Sequence, residues 1–341
     1  MRTNCAVTLG LLGLVAGLAG CGGGPAEEAM PEAPAEPSLS AAVVGTWELA
    51  SVELHDGGGA PLPAPEGPAL GAPGAIGQLI LDDDGHIGLS IMQQGRPHYE
   101  DPTPAQALAD LDGFTAFFGT YTVDEAGGEL TVQIQGSRDP GLAGASRSGA
   151  VEASADRLTL ELPATAAGAT PTAVWTRVPD LAEVTPSHER VFGFWHHVPN
   201  EGATDDDPPL RPGFIIYTPA GRMMVHLLDP ERPPYAGDEP TPEEAQAAVG
   251  SYMSYFGPFS VDEEGSYFIH HRIGHTLDLT DRPEAERTTG LDTDAQRFYE
   301  FVDNRMVLRF LSTAGVLPAP AEGEADWGGM ITWERLTPAS R

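Results

Sequence analysis

The chain contains no lysine. All 18 of its basic residues are arginines, set against 50 acidic ones, for a formal net charge of −32. A surface so poor in positive charge excludes nucleic acid as a partner, because phosphates need a basic face. It also argues against docking of the folded body on anionic lipid, and it reads as a solvated exterior that favours solubility. Cysteine is almost as scarce. Cys5 and Cys21 are the whole complement, so residues 22–341 hold neither a disulfide nor a thiol nucleophile. The apolar run CAVTLGLLGLVAGLA at 5–19 is short of the roughly 20 residues that a spanning helix needs. G-x-x-x-x-G-K-[ST], H-E-x-x-H, G-x-S-x-G and the dinucleotide fingerprint are all missing, and no metal or cofactor is implied.

Residues 1–20 instead read as a secretory signal, with one positive charge, a short apolar region and a small-residue end. Leu18-Ala19-Gly20-Cys21 resembles the lipobox of bacterial lipoproteins. That resemblance implies cleavage before Cys21 and its acylation, so that acyl chains make the membrane attachment. In a source with two membranes, Gly22, where inner-membrane members of that family usually carry Asp, favours the outer membrane by the same resemblance, with the protein facing the periplasm. Residues 21–40 read as the lipidated Cys and a Gly/Pro/Ala/Glu tether that cannot bury enough apolar surface to order itself. Stretched, residues 22–40 reach about 60 Å at ~3.3 Å per residue.

What the chain does have is an echo. FFGTYTVDEAGG at 117–128 returns as YFGPFSVDEEGS at 255–266. Gly45-Thr46-Trp47 matches Gly193-Phe194-Trp195, and GQLILDDDGHIGLS (77–90) matches GFIIYTPAGRMMVH (213–226). Arg96-Pro97-His98-Tyr99 matches Arg232-Pro233-Pro234-Tyr235, and Trp175-Thr176-Arg177 matches Trp333-Glu334-Arg335, all in one order. Two homologous domains account for this, 41–178 and 187–337, with a linker at 179–186 and a tail at 338–341. Alternation and turn signals predict strands near 192–198, 213–218, 221–228, 256–261, 266–275, 296–302, 305–312 and 328–336, and the same eight in the first unit.

One helix interrupts each set, opened by the capping boxes Thr103-Pro104-Ala105-Gln106 and Thr241-Pro242-Glu243-Glu244. Ala107, Leu111, Phe114 and Phe118 keep helical spacing, as do Ala245, Val249, Tyr252 and Phe256. Such a stripe packs on the sheet, or its aromatics face a ligand.

Eight antiparallel strands in each unit suggest an up-and-down barrel. Gly45-x-Trp47 and Gly193-x-Trp195, each opening its domain, resemble the lipocalin signature, and the wider set of motifs resembles the bacterial lipocalin-like domain family over nearly all of 41–337. The first copy departs at Leu81-Asp82-Asp83-Asp84-Gly85-His86-Ile87. The resemblance implies an all-β fold with one short helix per domain, as two tandem eight-stranded lipocalin-like barrels. It also implies a cation–π contact from Arg177 to Trp47 and from Arg335 to Trp195, and a hydrophobic or amphipathic small molecule as partner.

Six of the ten histidines fall within the second domain: His196, His197, His226, His270, His271 and His275. Adjacent strand residues face opposite ways, so His270 and His271 cannot share a ligand. A joint site must combine strands, for example His226 with His197 and one of the other two. Matching Val132 and Ile134 turns His270 and Arg272 inward, whereas Ile269 and Ile273 argue for His271 and His275. Arg232 with Tyr235, and Arg96 with Tyr99, suit a mouth that orients an acidic headgroup; the same residues would equally shape a loop against the helix. Three readings follow: a carrier of a hydrophobic molecule with Arg232, Tyr235, Arg96, Tyr99, Tyr252 and Arg272 at the ligand; a hydratase or isomerase using His226, His270 or His271; and an interaction module with filled barrels.

Overall fold

The structure is a computed structural model that describes residues 37–64, 73–94, 102–162, 169–204, 207, 209–237, 239–276, 294–312 and 326–336. Cys21, Arg96 and Tyr99 lie outside the described residues. Pro37–Arg341 forms one compact unit.

Barrel 1 begins with a short helix, α1 (Leu39–Val43), followed by β1 (Gly45–His55), β2 (Ala75–Leu81) and β3 (His86–Gln93). After α2 (Pro104–Asp112) come β4 (Phe114–Asp124), β5 (Glu129–Ser137), β6 (Ser146–Ala153), β7 (Arg157–Glu161) and β8 (Thr170–Arg177). Each strand pairs antiparallel with the next, and β8 returns to β1, so the barrel closes. Barrel 2 repeats the plan. A short helix α3 (Pro186–Val191) precedes β9 (Gly193–Val198), β10 (Gly213–Tyr217) and β11 (Arg222–Leu228). Beyond α4 (Pro242–Gly250) run β12 (Tyr252–Asp262), β13 (Tyr267–His271), the two-residue β14 (Gly274–His275), β15 (Asp294–Val302), β16 (Arg305–Leu311) and β17 (Trp327–Arg335). Pairings of β11 with β12, β13 with β15 and β17 with β9 close this barrel as well.

The helical spacing expected to continue through Phe114, Phe118, Tyr252 and Phe256 does not hold. Helices α2 and α4 stop at Gly113 and Ser251, and those four aromatics stand on strands β4 and β12. Beyond the caps, aromatic and β-branched residues favour strand, and the outer face of that strand has a partner to bury against. Phe114, Phe118, Tyr252 and Phe256 join Ile80, Ile216 and Met224 in an apolar seam between the two barrels. The Phe118 and Phe214 rings cross it with centroids 4.5 Å apart. The seam matches β2–β4 of one barrel with β10–β12 of the other, and Gln246 of α4 donates to the Pro102 carbonyl beside α2.

The duplicated Phe-Gly has a geometric cause. Both β4 and β12 pass a bulge in the neighbouring chain, where register slips between Phe118 and Gly119 and strand pairing breaks between β13 and β14. A Cβ on Gly119 would lie 2.0 Å from the Gln133 carbonyl oxygen, and one on Gly257 would lie 2.0 Å from that of His271. No other residue type fits there.

The two helices that sequence reading did not anticipate, α1 and α3, plug the barrel floors. Trp47 donates its indole N–H to the Val43 carbonyl at 2.9 Å, and Trp195 donates to Val191 at 2.7 Å. The Arg177 guanidinium lies 4.0 Å over the Trp47 ring while donating to the carbonyls of Ala42 and Val44. Arg335 lies 4.3 Å over Trp195 and donates to Arg190 and Phe192. Each Arg thus satisfies the orphan carbonyls at a helix end and opposes the helix dipole. Residues 37–40, read as tether, belong to this plug: Ser38 caps α1, and Glu125 accepts from the Leu39 and Ser40 amides.

Gly193 combines φ of +122° with a would-be Cβ 2.8 Å from Arg335 Nη1, whereas Gly202, at φ +79°, faces open space. Gly193→Ala is therefore expected to destabilise the protein by about 1–3 kcal/mol, and by more than Gly202→Ala. Urea unfolding midpoints test this; equal losses at the two sites would remove the close approach from the account.

Candidate functional site

Alternation along β3–β7 turns Leu89, Phe117, Leu130, Val132, Ile134 and Leu160 into barrel 1. They do not fill it. They line a cavity of about 300 Å³ whose polar edge carries Asp139, Arg147, Ser148 and Glu161. That volume lies at the lower end for small-molecule pockets. Two acids and one base give the edge a net negative charge.

Barrel 2 is built differently inside. The positions of Leu81, Phe117 and Val132 are taken by Tyr217, Tyr255 and His270. His270 is fully buried, with Tyr217 Oη 2.7 Å from Nε2 and Tyr255 Oη 3.1 Å from Nδ1. Burial, reinforced by Arg297 and Arg272, holds His270 well below its ordinary pKa, and burial raises Tyr217 well above its own. Arg272 is also buried, 5.4 Å from the Tyr255 ring centroid. The strand therefore takes the orientation of Val132 and Ile134, with Ile273 turned outward into the seam. Trp195, Phe259, Phe268 and Trp333 occupy much of the remaining interior.

The histidines do not converge. His197 faces inward over Trp333, its Nδ1 donating to the Arg211 carbonyl at 2.8 Å. His226 lies on the opposite face of its sheet, in the seam, where Tyr252 Oη sits 2.8 Å from Nδ1 and no partner meets Nε2 among the described residues. Burial alone lowers the His226 pKa to about 3. His271 faces outward. Its Nε2 is 3.0 Å from Ser260 Oγ and its Nδ1 is 3.0 Å from Asp294 Oδ1. Among the described residues no three His, Cys, Asp or Glu side chains are placed to hold a metal.

Arg232 lies between the barrels. It donates to the Ser137 and Arg138 carbonyls of barrel 1, to Ser251 Oγ and to the Ala248 carbonyl, with its guanidinium 5.4 Å from the Tyr252 ring. Tyr235 packs on Gly141 of barrel 1, its hydroxyl pKa raised by burial and by Asp139. Both border a small cleft of about 210 Å³ at this junction, away from either lumen. Of the two uses open to Arg-Pro-x-Tyr, the second copy shows loop packing, extended across the seam. A larger cleft of about 530 Å³ runs between the two floors, bordered by Asp82, His86, Arg177, Phe194 and Arg335. Its His86 is paired with Asp82 at 2.8 Å, and both arginines are committed to helix ends.

Sequence reading missed Ser260, Asp294 and the cavity wall of barrel 1. The wall residues were legible as inward positions, but whether they touch across the lumen depends on barrel width. Asp294 was legible only through its register opposite His271.

His226 and His270 are neutral in the fold at pH 7. The unfolded chain takes up their protons near pH 6.5 and the folded chain does not. Their contribution to stability is thus complete above pH 6.5 and is lost as pH falls toward the folded values. For His226, whose folded pKa is about 3, the slope is about 1.4 kcal/mol per pH unit between pH ~6 and ~4. His226→Ser, which copies Ser90 of barrel 1, is expected to remove one such slope from urea-derived stability against pH. An unchanged slope would mean that His226 titrates normally in the folded protein.

The model of a lipocalin-like domain matches residues 44–178 and again 210–336. No curated protein matches. A solved structure from Bacteroides fragilis, described as a putative outer membrane protein, covers 88% of this chain and 100% of its own at 9% identity, with a TM-score of 0.19 that carries no argument. The two closed barrels, the repeated Gly-x-Trp floors with their arginines and the paired family match establish that this chain belongs to the lipocalin-like domain family, in two tandem copies.

Proposed function

We propose that this protein is a lipid-anchored binder of a small apolar molecule, held in the lumen of barrel 1. The observation that carries the reading is the 300 Å³ cavity walled by Leu89, Phe117, Leu130, Val132, Ile134 and Leu160. Such a wall supplies affinity at about 25 cal/mol per Å² of apolar surface buried, less the cost of immobilising the ligand. The edge sets the polar end. Asp139 and Glu161 outnumber Arg147, so a neutral or cationic headgroup suits it better than a carboxylate. Arg232 and Tyr235, committed to the seam, support the junction of the barrels in this reading, and the packed aromatics of barrel 2 make that domain a scaffold. Attachment through acyl chains on Cys21, at an outer membrane facing the periplasm, rests on the lipobox-like Leu18-Ala19-Gly20-Cys21.

The neutral fluorophore N-phenyl-1-naphthylamine, titrated into residues 37–341, tests the seat. Saturable binding is expected, weakened at least tenfold by Val132→Trp, which fills the cavity, and unaffected by the matched change at the packed position, His270→Trp or His270→Phe, wherever that variant folds. Arg147→Glu should favour a cationic alkylamine over a fatty acid in displacement. Absence of saturable binding, or binding indifferent to Val132→Trp, would reject barrel 1 as the seat.

A further inference from the structure

The contact of His271 with Ser260 and Asp294 lies outside both lumens and the seam, and the proposed binding function makes no use of it. The three residues stand on three successive neighbours in the sheet, β12, β13 and β15. His271 and Asp294 are direct register partners, which places both on the outer face. Ser260 pairs with Ile269 and so lies diagonally across from His271 on that same face. Ser260 Oγ is 3.0 Å from Nε2, and Asp294 Oδ1 is 3.0 Å from Nδ1. A carboxylate only accepts, so Asp294 fixes the proton on Nδ1 and leaves the Nε2 lone pair for the Ser260 hydroxyl. The order is nucleophile, base and orienting acid. The His271 and Asp294 side chains are 37% and 24% exposed, within reach of a substrate.

Polar ladders across strands are ordinary, and the duplication supplies the comparison that separates one from a site. The corresponding positions in barrel 1 are Thr122, Gln133 and Ser146, with Gln133 the register partner of Ser146. A neutral ladder thus serves this sheet position in barrel 1, where barrel 2 has a base with an orienting carboxylate. Beside Ser260 the outer face carries apolar side chains interleaved with polar ones, Gln296 as the register partner of Ile269 and Asp262 as that of Tyr267. Ile269 is the register partner of Ser260, and the rings of Tyr267, Phe298 and Trp327 continue outward with centroids 5.5 and 5.4 Å apart. Trp327 is 41% exposed.

We propose that Ser260, His271 and Asp294 form an acyl-transfer site on the outer wall of barrel 2, hydrolysing esters of uncharged, apolar acids whose acyl group rests on the Ile269–Phe298–Trp327 shelf. Ser260 Oγ adds to the ester carbonyl as His271 Nε2 takes the hydroxyl proton. The C–O bond to the alcohol breaks, and His271 returns that proton to the departing alkoxide. Water then adds to the acyl-Ser260 ester, again losing a proton to His271. Collapse releases the carboxylic acid and restores the Ser260 hydroxyl. Ester and water become acid and alcohol, with no other reactant. Ser260 and His271 are the catalytic residues and Asp294 is a positioning residue.

The test is hydrolysis of p-nitrophenyl butyrate by the full chain, with intact-mass and peptide mapping after treatment with diisopropyl fluorophosphate. Turnover above buffer is expected, together with one organophosphoryl adduct on Ser260. Ser260→Ala should abolish both. His271→Gln, which copies barrel 1, should lower the rate about 100-fold or more. Asp294→Asn should lower kcat with little change in KM, the split expected of a residue that orients His271 without touching the ester. Hydrolysis equal in wild type and Ser260→Ala would overturn the proposal, and so would a wild-type chain with neither turnover nor adduct. Because the adduct is read on unmodified protein, a variant that fails to fold does not rescue the idea.

Discussion

A closed barrel has two open ends, and one end of each barrel here is sealed by the same contact: a guanidinium clamped between a tryptophan face and the last carbonyls of a short helix. Closure depends on it. The first strand pairs with the last at this point, Trp47 opposite Arg177 and Trp195 opposite Arg335. The helix that plugs the floor comes immediately before the first strand, so the last strand grips the element by which its own domain begins. Helices of five and six residues, as α1 and α3 are, have no stability of their own. They persist because Trp and Arg satisfy their terminal carbonyls and because Val43 and Val191 are fully buried against the floor. With the floor sealed, a lumen can communicate with solvent only elsewhere, and the barrel 1 cavity borders the region of Asp139, Arg147 and Glu161.

Duplication left the frame alone and changed the side chains on every face. Inside, Tyr217, Tyr255 and His270 stand where barrel 1 has Leu81, Phe117 and Val132, a buried network in place of an apolar wall and one that is stable only when each polar atom finds a partner. In the seam, Ser90 corresponds to His226, and the two surfaces interlock because one side is small where the other is large: a Cβ on Gly88 would meet Ile216 at 2.5 Å. On the outside, Thr122, Gln133 and Ser146 correspond to Ser260, His271 and Asp294. The fold thus tolerates either set at each level. That tolerance makes barrel 1 a built-in control for what barrel 2 carries.

The barrels themselves were legible because strand alternation, capping boxes and the repeated Gly-x-Trp are local signals, and every predicted strand of the second domain has a counterpart in the structure. Other features were not local. Ser38–Val43 is a run of small residues after a Pro/Ala/Glu tract, and its helicity is imposed by Glu125 and Arg177, more than 80 positions away. Phe114 and Phe118 fit helical spacing because three- and four-residue steps also occur by chance at a helix–strand junction; burial of their outward faces depends on a second barrel. The role of Arg232 was hidden for the same reason, since its acceptors Ser137 and Arg138 lie 95 and 94 positions upstream. Ser260 looked like any strand serine until the register supplied His271 and Asp294.

The absence of lysine acquires a structural meaning from these contacts. At both floors and in the seam, one guanidinium reaches two carbonyl oxygens at once: Ala42 and Val44, Arg190 and Phe192, Ser137 and Arg138. A planar fork can do this, and a point-like ammonium on a flexible stem holds such a pair poorly. Arg138 carries the tendency furthest. It is buried beneath α2, donating to the Asp110 and Phe114 carbonyls and to the Asp110 carboxylate, and stays cationic even with its pKa lowered by burial to about 10. Cations used inside do not compensate acids outside. Of the 18 arginines, Arg138 and Arg272 are buried, and Arg177, Arg232 and Arg335 are half-buried with their guanidinium groups spent on carbonyls, so little positive charge is left free to offset the 50 acids outside. On the proposed binding reading this bears on the choice of ligand: the acidic edge of the barrel 1 cavity opposes an anionic molecule and not an uncharged one, and the apolar wall behind that edge is complementary to the second kind.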